Sequence, residues 1–292
     1  MAQTSVFAVA LIFATSLVSA QGPQGPGGPP NPLIRQGTQL DIEGKYAEAR
    51  QVFQQAIDAG ANPLAKANAE RAMAMSWAFE GNCKKTTEYE NLVIDYWKTQ
   101  EKDDPSHAFY QEGEMADEAA RVCTDSGDLT AALDLYKQGH ELGLKEPGIS
   151  AARKALWDYR LHSAEARISS RRNQKAEAEH HLAMAKAALD QMKDADASLY
   201  DQQKSFVPYT EGYVAFYTED YKSALADLQQ ANQRDPFIQC LIGMTYEKLG
   251  EAAKAKEALE KASHTTAHNP PAAFARPFAV KKLGTASSGS QN

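Results

Sequence analysis

The side chains best suited to chemistry in this 292-residue chain are its cysteines and histidines. The chain has three cysteines, Cys83, Cys123 and Cys240. Because three is an odd number, at least one thiol has no disulfide partner within the chain. His264 and His268 are four residues apart, a spacing that brings two metal ligands onto one helix face. An Asn-Pro pair follows them directly and interrupts the helix, which favours a capping or loop role. The sequence therefore predicts no metal site.

No catalytic motif accompanies these residues. The sequence has no Gly-rich phosphate loop, no His-Glu-x-x-His zinc motif, no Gly-x-Ser-x-Gly elbow and no Cys-x-x-Cys pair. Adjacent His180 and His181 point in different directions on a helix, which is typical of a solvated surface. Acidic residues such as Glu112 and Glu114 are interpreted as exposed helix charge. We expect neither enzymatic activity nor a cofactor.

The charge distribution argues against nucleic acid as a partner. The formal net charge is −7, and the longest basic cluster, which includes Arg171 and Lys175, runs directly into Glu177 and Glu179. A strip of mixed charge cannot neutralise a phosphate backbone.

The N-terminus resembles an export signal. Residues 6–18 are largely apolar, and Val18, Ser19 and Ala20 supply small residues for cleavage, although no Lys or Arg precedes the apolar run. The run is too short to span a bilayer, and Gln21 rather than Cys follows it. We predict a signal peptide over 1–20, export to a periplasm or the extracellular space, and no stable membrane insertion after cleavage. Residues 21–31 form a Pro/Gly-rich spacer, and 285–292 a small polar tail, both predicted to be disordered.

A repeat lies between these ends. Gly44 is followed at offsets 2, 5, 9 and 12 by Tyr46, Ala49, Phe53 and Ala56, the last three on one helical face. The same frame recurs after further turn positions: Gly81 (degenerate), Gly127, Asn173, Glu219 and Gly250. A second glycine precedes three of the turns by seven residues, at Gly37, Gly212 and Gly243.

This pattern resembles the tetratricopeptide repeat (TPR), in which a small residue on helix A and an Ala–large–Ala series on helix B pack two antiparallel helices closely. Prolines close copies one, three and five, at Pro63, Pro147 and Pro236. The resemblance implies an exported, bacterial-type, all-α TPR-like solenoid of about six helix-turn-helix units over residues 32–284.

The spacing adds detail to this architecture. The central turns are 46 residues apart, longer than the family's period of about 34, so these units need longer helices or connections, such as a polar loop over residues 193–205. Residues 271–283 are predicted to form a capping helix that carries Phe274 and Phe278 on one face. Pro277 lies inside that span and should kink or shorten it.

The resemblance implies partner binding on a concave face built by the A helices. In copy five that helix carries the stripe Tyr209, Tyr213 and Phe216, and matching positions in copy six hold Met244 and Glu247. We predict that these five residues bind a protein or peptide, which makes the chain an interaction scaffold. Two alternatives stay open: the rings pack between repeats, or the stripe serves a solute- or glycan-binding protein of the cell envelope.

A TPR stack also implies a position for the cysteines. Cys83 begins helix B of copy two and Cys123 lies near the end of helix A of copy three. Because these helices are antiparallel neighbours, both thiols should lie on one edge of the solenoid, close enough for a disulfide in an oxidising compartment. Cys240 would then be a free, buried thiol. Three reduced cysteines are the competing interpretation.

Overall fold

The computed structural model of the protein describes residues 31–288; the predicted signal peptide and residues 21–30 of the predicted spacer lie outside this range. The described residues form helices and turns, without strands. The helices are α1 (Pro32–Ile42), α2 (Tyr46–Asp58), α3 (Pro63–Phe79), α4 (Cys83–Lys98), α5 (Pro105–Ser126), α6 (Leu129–Leu144), α7 (Ala151–Arg171), α8 (Lys175–Ala195), α9 (Ala197–Gln203), α10 (Val207–Tyr217), α11 (Tyr221–Leu228), α12 (Pro236–Lys248), α13 (Ala252–Ser263) and α14 (Pro270–Ser288). None of these helices combines the length and apolar character needed to cross a membrane.

Twelve of the helices form six hairpins: α1–α2, α3–α4, α5–α6, α7–α8, α10–α11 and α12–α13. We call the first helix of each hairpin its A helix and the second its B helix. Each hairpin also packs on the next, and α14 follows the last one. The predicted all-α, TPR-like solenoid of six units with a C-terminal capping helix is confirmed.

The turn positions explain why the chain reverses where it does. All six residues predicted to lie in the turns have φ in the left-handed region, between 58° and 94°: Gly44, Gly81, Gly127, Asn173, Glu219 and Gly250. Glycine adopts this conformation without steric cost, whereas Glu219 adopts it against the preference of its side chain.

The glycines inside the A helices mark close helix packing. A Cβ atom added to Gly212 would lie 2.7 Å from Leu228, and one added to Gly243 would lie 2.8 Å from Leu259. In the first unit a Cβ on Gly37 would overlap the ring of Phe53. In these three units, the large residue of the B helix therefore fills the space that a side chain on the A-helix glycine would take.

The prediction of a loop over residues 193–205 is wrong. Helix α8 continues to Ala195, and the carboxylate of Asp196 then accepts hydrogen bonds from the backbone N–H groups of Ser198 and Leu199 to start α9. Leu199 and Tyr200 pack against the core formed by α7 and α8. The polar residues of the same segment form the solvated face of the helix, which explains its polar composition.

Helix α14 is longer than predicted. Asn269 caps its start and it continues to Ser288, so residues 285–288, assigned to the tail by the sequence, are helical. Pro277 lies inside the helix without ending it. Phe274 and Phe278 share a face as predicted, with stacked rings 5.3 Å apart.

Helix α14 also closes the array. It packs on α12 and α13, as a cap should, and additionally on α3 and α5. His268, just before α14, places Nε2 2.8 Å from the buried Asp41 Oδ2 of α1, and its ring stacks on Phe79. Arg276 donates from Nε to the Ile42 carbonyl oxygen at 2.8 Å. The last helix thus contacts the first unit, and the solenoid closes on itself.

Candidate partner-binding groove

The predicted aromatic stripe is mostly core. Tyr213 is 0% exposed and Phe216 is 6% exposed. Tyr213 stacks on Phe237 of α12 and contacts Tyr217 at 4.7 Å between ring centroids. Because α10 is packed between α7 and α12, the face that carries the stripe is used for helix packing. The assignment of Tyr213 and Phe216 as an exposed binding surface is therefore corrected.

The other three predicted binding residues make different contacts and form no single surface. Tyr209 is partly exposed at the start of α10, and Met244 packs against the core of units five and six. Glu247 is exposed but forms an ion pair with Lys282 of α14 at 2.9 Å. They form no common aromatic surface, so the solute- or glycan-binding alternative loses the stripe on which it depended.

The inner face of the array, where A helices of different units meet, is instead dominated by charge. Arg71 of α3 donates from Nε to Glu118 Oε2 of α5 at 3.0 Å, and from Nη2 to Oε1 of the same carboxylate. The Arg71 side chain is 46% exposed and that of Glu118 is 13% exposed. This is a bidentate pair between two successive A helices, open to solvent on the arginine side.

The next pair continues the line from α5 to α7. Arg160 donates to Glu114 Oε2 at 2.6 Å and to the Tyr110 hydroxyl at 2.9 Å, and lies 3.8 Å from Asp117. These side chains are partly exposed. We call the surface formed by Arg71, Glu114, Asp117, Glu118 and Arg160 the charged groove.

Electrostatics differ between the carboxyl groups of the charged groove. Burial raises the pKa of Asp117 to about 8, with the nearby Arg160 guanidinium opposing the shift. Burial also acts to raise the pKa of Glu114, but Arg160 holds it below its ordinary value. The balance between burial and the Arg160 guanidinium therefore favours protonation of Asp117 and ionisation of Glu114.

Beyond the charged groove, the inner face is filled by the protein itself. The Arg121 guanidinium lies 4.1 Å from the ring centroid of Phe237 and pairs with Asp125 at 3.0 Å. Arg167 donates to the hydroxyls of Tyr136 at 3.1 Å and Tyr209 at 3.4 Å. Cation–π and charge-assisted contacts of this kind join units three to six across the interior.

These residues lie at fixed distances from the turn positions, a regularity that is visible in the sequence. Arg121, Arg167 and Tyr213 each lie six residues before a turn position. Glu114 and Arg160 each lie thirteen residues before one. Equivalent positions therefore face the same interior, a relation that the search for aromatic residues alone missed.

Two of the three cysteines are bonded to each other, and the third is buried. Cys83 and Cys123 are joined by a disulfide that spans 4.6 Å between Cα atoms and ties α4 to α5. Cys240 is free and fully buried beneath α14, where its thiol donates to the Ala275 carbonyl oxygen at 3.3 Å. Burial raises the pKa of the Cys240 thiol far above its ordinary value, which keeps it protonated and unreactive.

Comparison with known proteins identifies a repeat in the sixth unit. Residues 238–263, which cover most of α12 and α13, match the family described as "Tetratricopeptide repeat". No curated protein matches the chain. A solved structure of putative kinesin light chain nearly identical TPR-like repeats from Podosopora anserina aligns with 16% identity over 79% of this chain and 91% of that chain, with a TM-score of 0.37. The sixth unit is thus a recognisable tetratricopeptide repeat.

Proposed function

We propose that the protein is an exported, non-catalytic scaffold that binds a protein or peptide in the charged groove. The observation that carries the proposal is a pair of ionic clusters between successive A helices, Arg71–Glu118 from α3 to α5 and Arg160–Glu114 from α7 to α5, in which Arg71 is 46% exposed. TPR arrays bind partners on the surface that successive A helices build. The charged groove lies on A helices, and Arg71, Glu114 and Arg160 are 21–46% exposed there.

The chemistry of the charged groove favours a partner with charges of both signs. Arg71 and Arg160 present planar guanidinium groups that bind carboxylates in a bidentate manner. Glu114 and Glu118 pair with them in the free protein and can accept Lys or Arg side chains of a partner. A partner's carboxylate or guanidinium would replace the internal partner with a charge-assisted contact of the same kind, so no charge in the charged groove would be left unpaired.

Export is the second part of the proposal. Its support is the apolar run over residues 6–18 with small residues at 18–20, together with a disulfide between Cys83 and Cys123. Disulfides persist in exported proteins and are rare in reducing compartments. Expression of the full chain followed by N-terminal sequencing tests it: mature protein should begin at Gln21, and intact Met1 on exported material would contradict the proposal.

A capture experiment tests the binding surface. The mature chain is immobilised, exposed to extract from the producing cells, and bound proteins are identified by mass spectrometry. The test variant Arg71→Ala/Arg160→Ala removes both arginines of the charged groove. The control variant Lys175→Ala/Lys256→Ala removes two equally charged side chains from exposed B-helix positions.

The proposal predicts a partner that the wild-type chain and the lysine variant retain and that the arginine variant loses. Circular dichroism and thermal melting verify that the arginine variant is folded. A partner that binds a folded arginine variant as tightly as wild type places the binding surface elsewhere and contradicts the proposal.

A further inference from the structure

The fourth unit brings together three side chains that the sequence keeps apart. His162 and Glu165 lie one turn apart on α7, and His181 comes from α8. The Glu165 Oε2 atom is 3.0 Å from His162 Nδ1 and 3.1 Å from His181 Nδ1. One ligand atom from each residue lies within 4.8 Å of the other two. The sequence interpretation of His181 as a solvated surface residue is corrected.

From this geometry we propose that His162, Glu165 and His181 form a binding site for a divalent transition-metal ion, with zinc as its reference ion. Two imidazoles and one carboxylate are a donor set that suits Zn²⁺, Ni²⁺ and Cu²⁺ and disfavours Mg²⁺ or Ca²⁺. Zn²⁺ accepts three protein ligands with water in the remaining position, and the three side chains are 15–23% exposed, which allows water to reach the ion.

The distances fit such an ion after a small adjustment. Bonds of about 2.0–2.1 Å with tetrahedral angles require ligand atoms about 3.4 Å apart. The observed separations of 3.0 and 3.1 Å to the shared carboxylate oxygen therefore need to open by a few tenths of an ångström. Both histidines face the carboxylate through Nδ1, and their rings are stacked with centroids 5.8 Å apart.

A second observation points to the same centre. His181 Nδ1 is buried and makes no well-aligned hydrogen bond within the described residues, although it lies beside the Glu165 carboxylate. Buried polar atoms normally have a partner, and an ion between Nδ1 and the carboxylate would supply one.

The bound ion would link α7 to α8 across their turn. No chemistry at the charged groove is required for this, so the inference is independent of the proposed function. His180 provides a matched control, because it is adjacent to His181 yet exposed and outside the cluster.

The test is isothermal titration of Zn²⁺ into the mature, tag-free chain after treatment with EDTA. We expect one equivalent to bind. We expect the dissociation constant to rise at least tenfold in His162→Ala, Glu165→Gln and His181→Ala, because losing even an outer-shell partner of a metal ligand typically costs about 10–100-fold. His180→Ala should bind like wild type. Equal binding by wild type and the His181→Ala variant, or no binding by wild type, overturns the proposal.

A measurement on wild type alone covers the case in which a variant does not fold. X-ray absorption of the zinc-loaded chain should show nitrogen and oxygen ligands at about 2.0–2.2 Å, with outer-shell scattering from two imidazoles. A zinc site with fewer than two imidazoles would overturn the assignment.

Discussion

The disulfide between Cys83 and Cys123 gives the sharpest stability prediction. It closes a loop of 40 residues and joins α4 of the second unit to α5 of the third. Reducing the bond, or replacing both cysteines in the variant Cys83→Ala/Cys123→Ala, releases that constraint in the unfolded chain. The folded state loses little besides the bond, because Cys123 is buried among small residues such as Ala119 and Ala132.

The magnitude follows from the loop length. In the chain-entropy model a 40-residue loop lowers the entropy of the unfolded chain by about 13 cal/mol/K, which is about 4 kcal/mol at 25 °C. For a protein of this size each kcal/mol corresponds to a Tm shift of about 2–4 °C, so the loss should lower Tm by about 8–16 °C. The value is large because the closed loop is long: it contains α4 and most of α5.

Urea unfolding monitored by circular dichroism measures this effect in three proteins. Reductant should lower the midpoint of wild type and of Cys240→Ala to the same extent, because Cys240 takes no part in the bond. Reductant should not change the midpoint of Cys83→Ala/Cys123→Ala. If wild type keeps its midpoint after thiol titration shows the bond to be reduced, the bond does not stabilise the fold and the reasoning fails.

Three further changes test the packing. Burial and nearby Glu101 raise the pKa of Glu112 from 4.5 to about 7, so the stability it contributes is present below pH 4.5 and is lost as pH rises to 7. Between pH 5 and pH 8 this loss amounts to about 2.5 kcal/mol, and Glu112→Gln should remove it when both proteins are unfolded in urea at the two pH values; parallel profiles for variant and wild type would contradict it. Gly143→Ala places a methyl group in the ring of Trp157 and should cost about 1–3 kcal/mol, whereas an unchanged Tm would show that the ring can move away. Glu219 has a φ of 67°, which strains a residue with a side chain, so Glu219→Gly should raise the free energy of unfolding by about 1 kcal/mol in the same urea assay. A lower urea midpoint would show that Glu219 is not strained there.

The fold was predictable because its determinants are local. A turn residue with positive φ followed by Ala, a large residue and Ala specifies one helical hairpin, and the pattern works even where Asn173 or Glu219 replaces glycine. The failure at residues 193–205 has a local cause too. A polar segment can form a solvated helix when an acid such as Asp196 caps it, and composition alone does not distinguish that helix from a loop.

The site was less predictable because it depends on contacts between distant units. Whether Tyr213 is exposed depends on Phe237 of α12 stacking against it, and no repeat signature encodes that contact. Glu112, assigned to the surface by its charge, is fully buried for a similar reason. The registers of Arg121 and Arg167, six residues before successive turns, and of Glu114 and Arg160, thirteen residues before them, were the sequence features that marked the inner face.

The return of α14 covers one part of the inner face and leaves the proposed binding surface uncovered. Its residues contact Ile42, Phe79 and Val122, which lie at or near the C-terminal ends of α1, α3 and α5. A cavity of about 270 Å³ remains where α14 passes the ends of α3 and α5. The middle of α3, α5 and α7, where the charged groove lies, stays open. Because the array is closed on itself, this surface is held in place before a partner arrives, and binding there needs less ordering of the protein than an open solenoid would require.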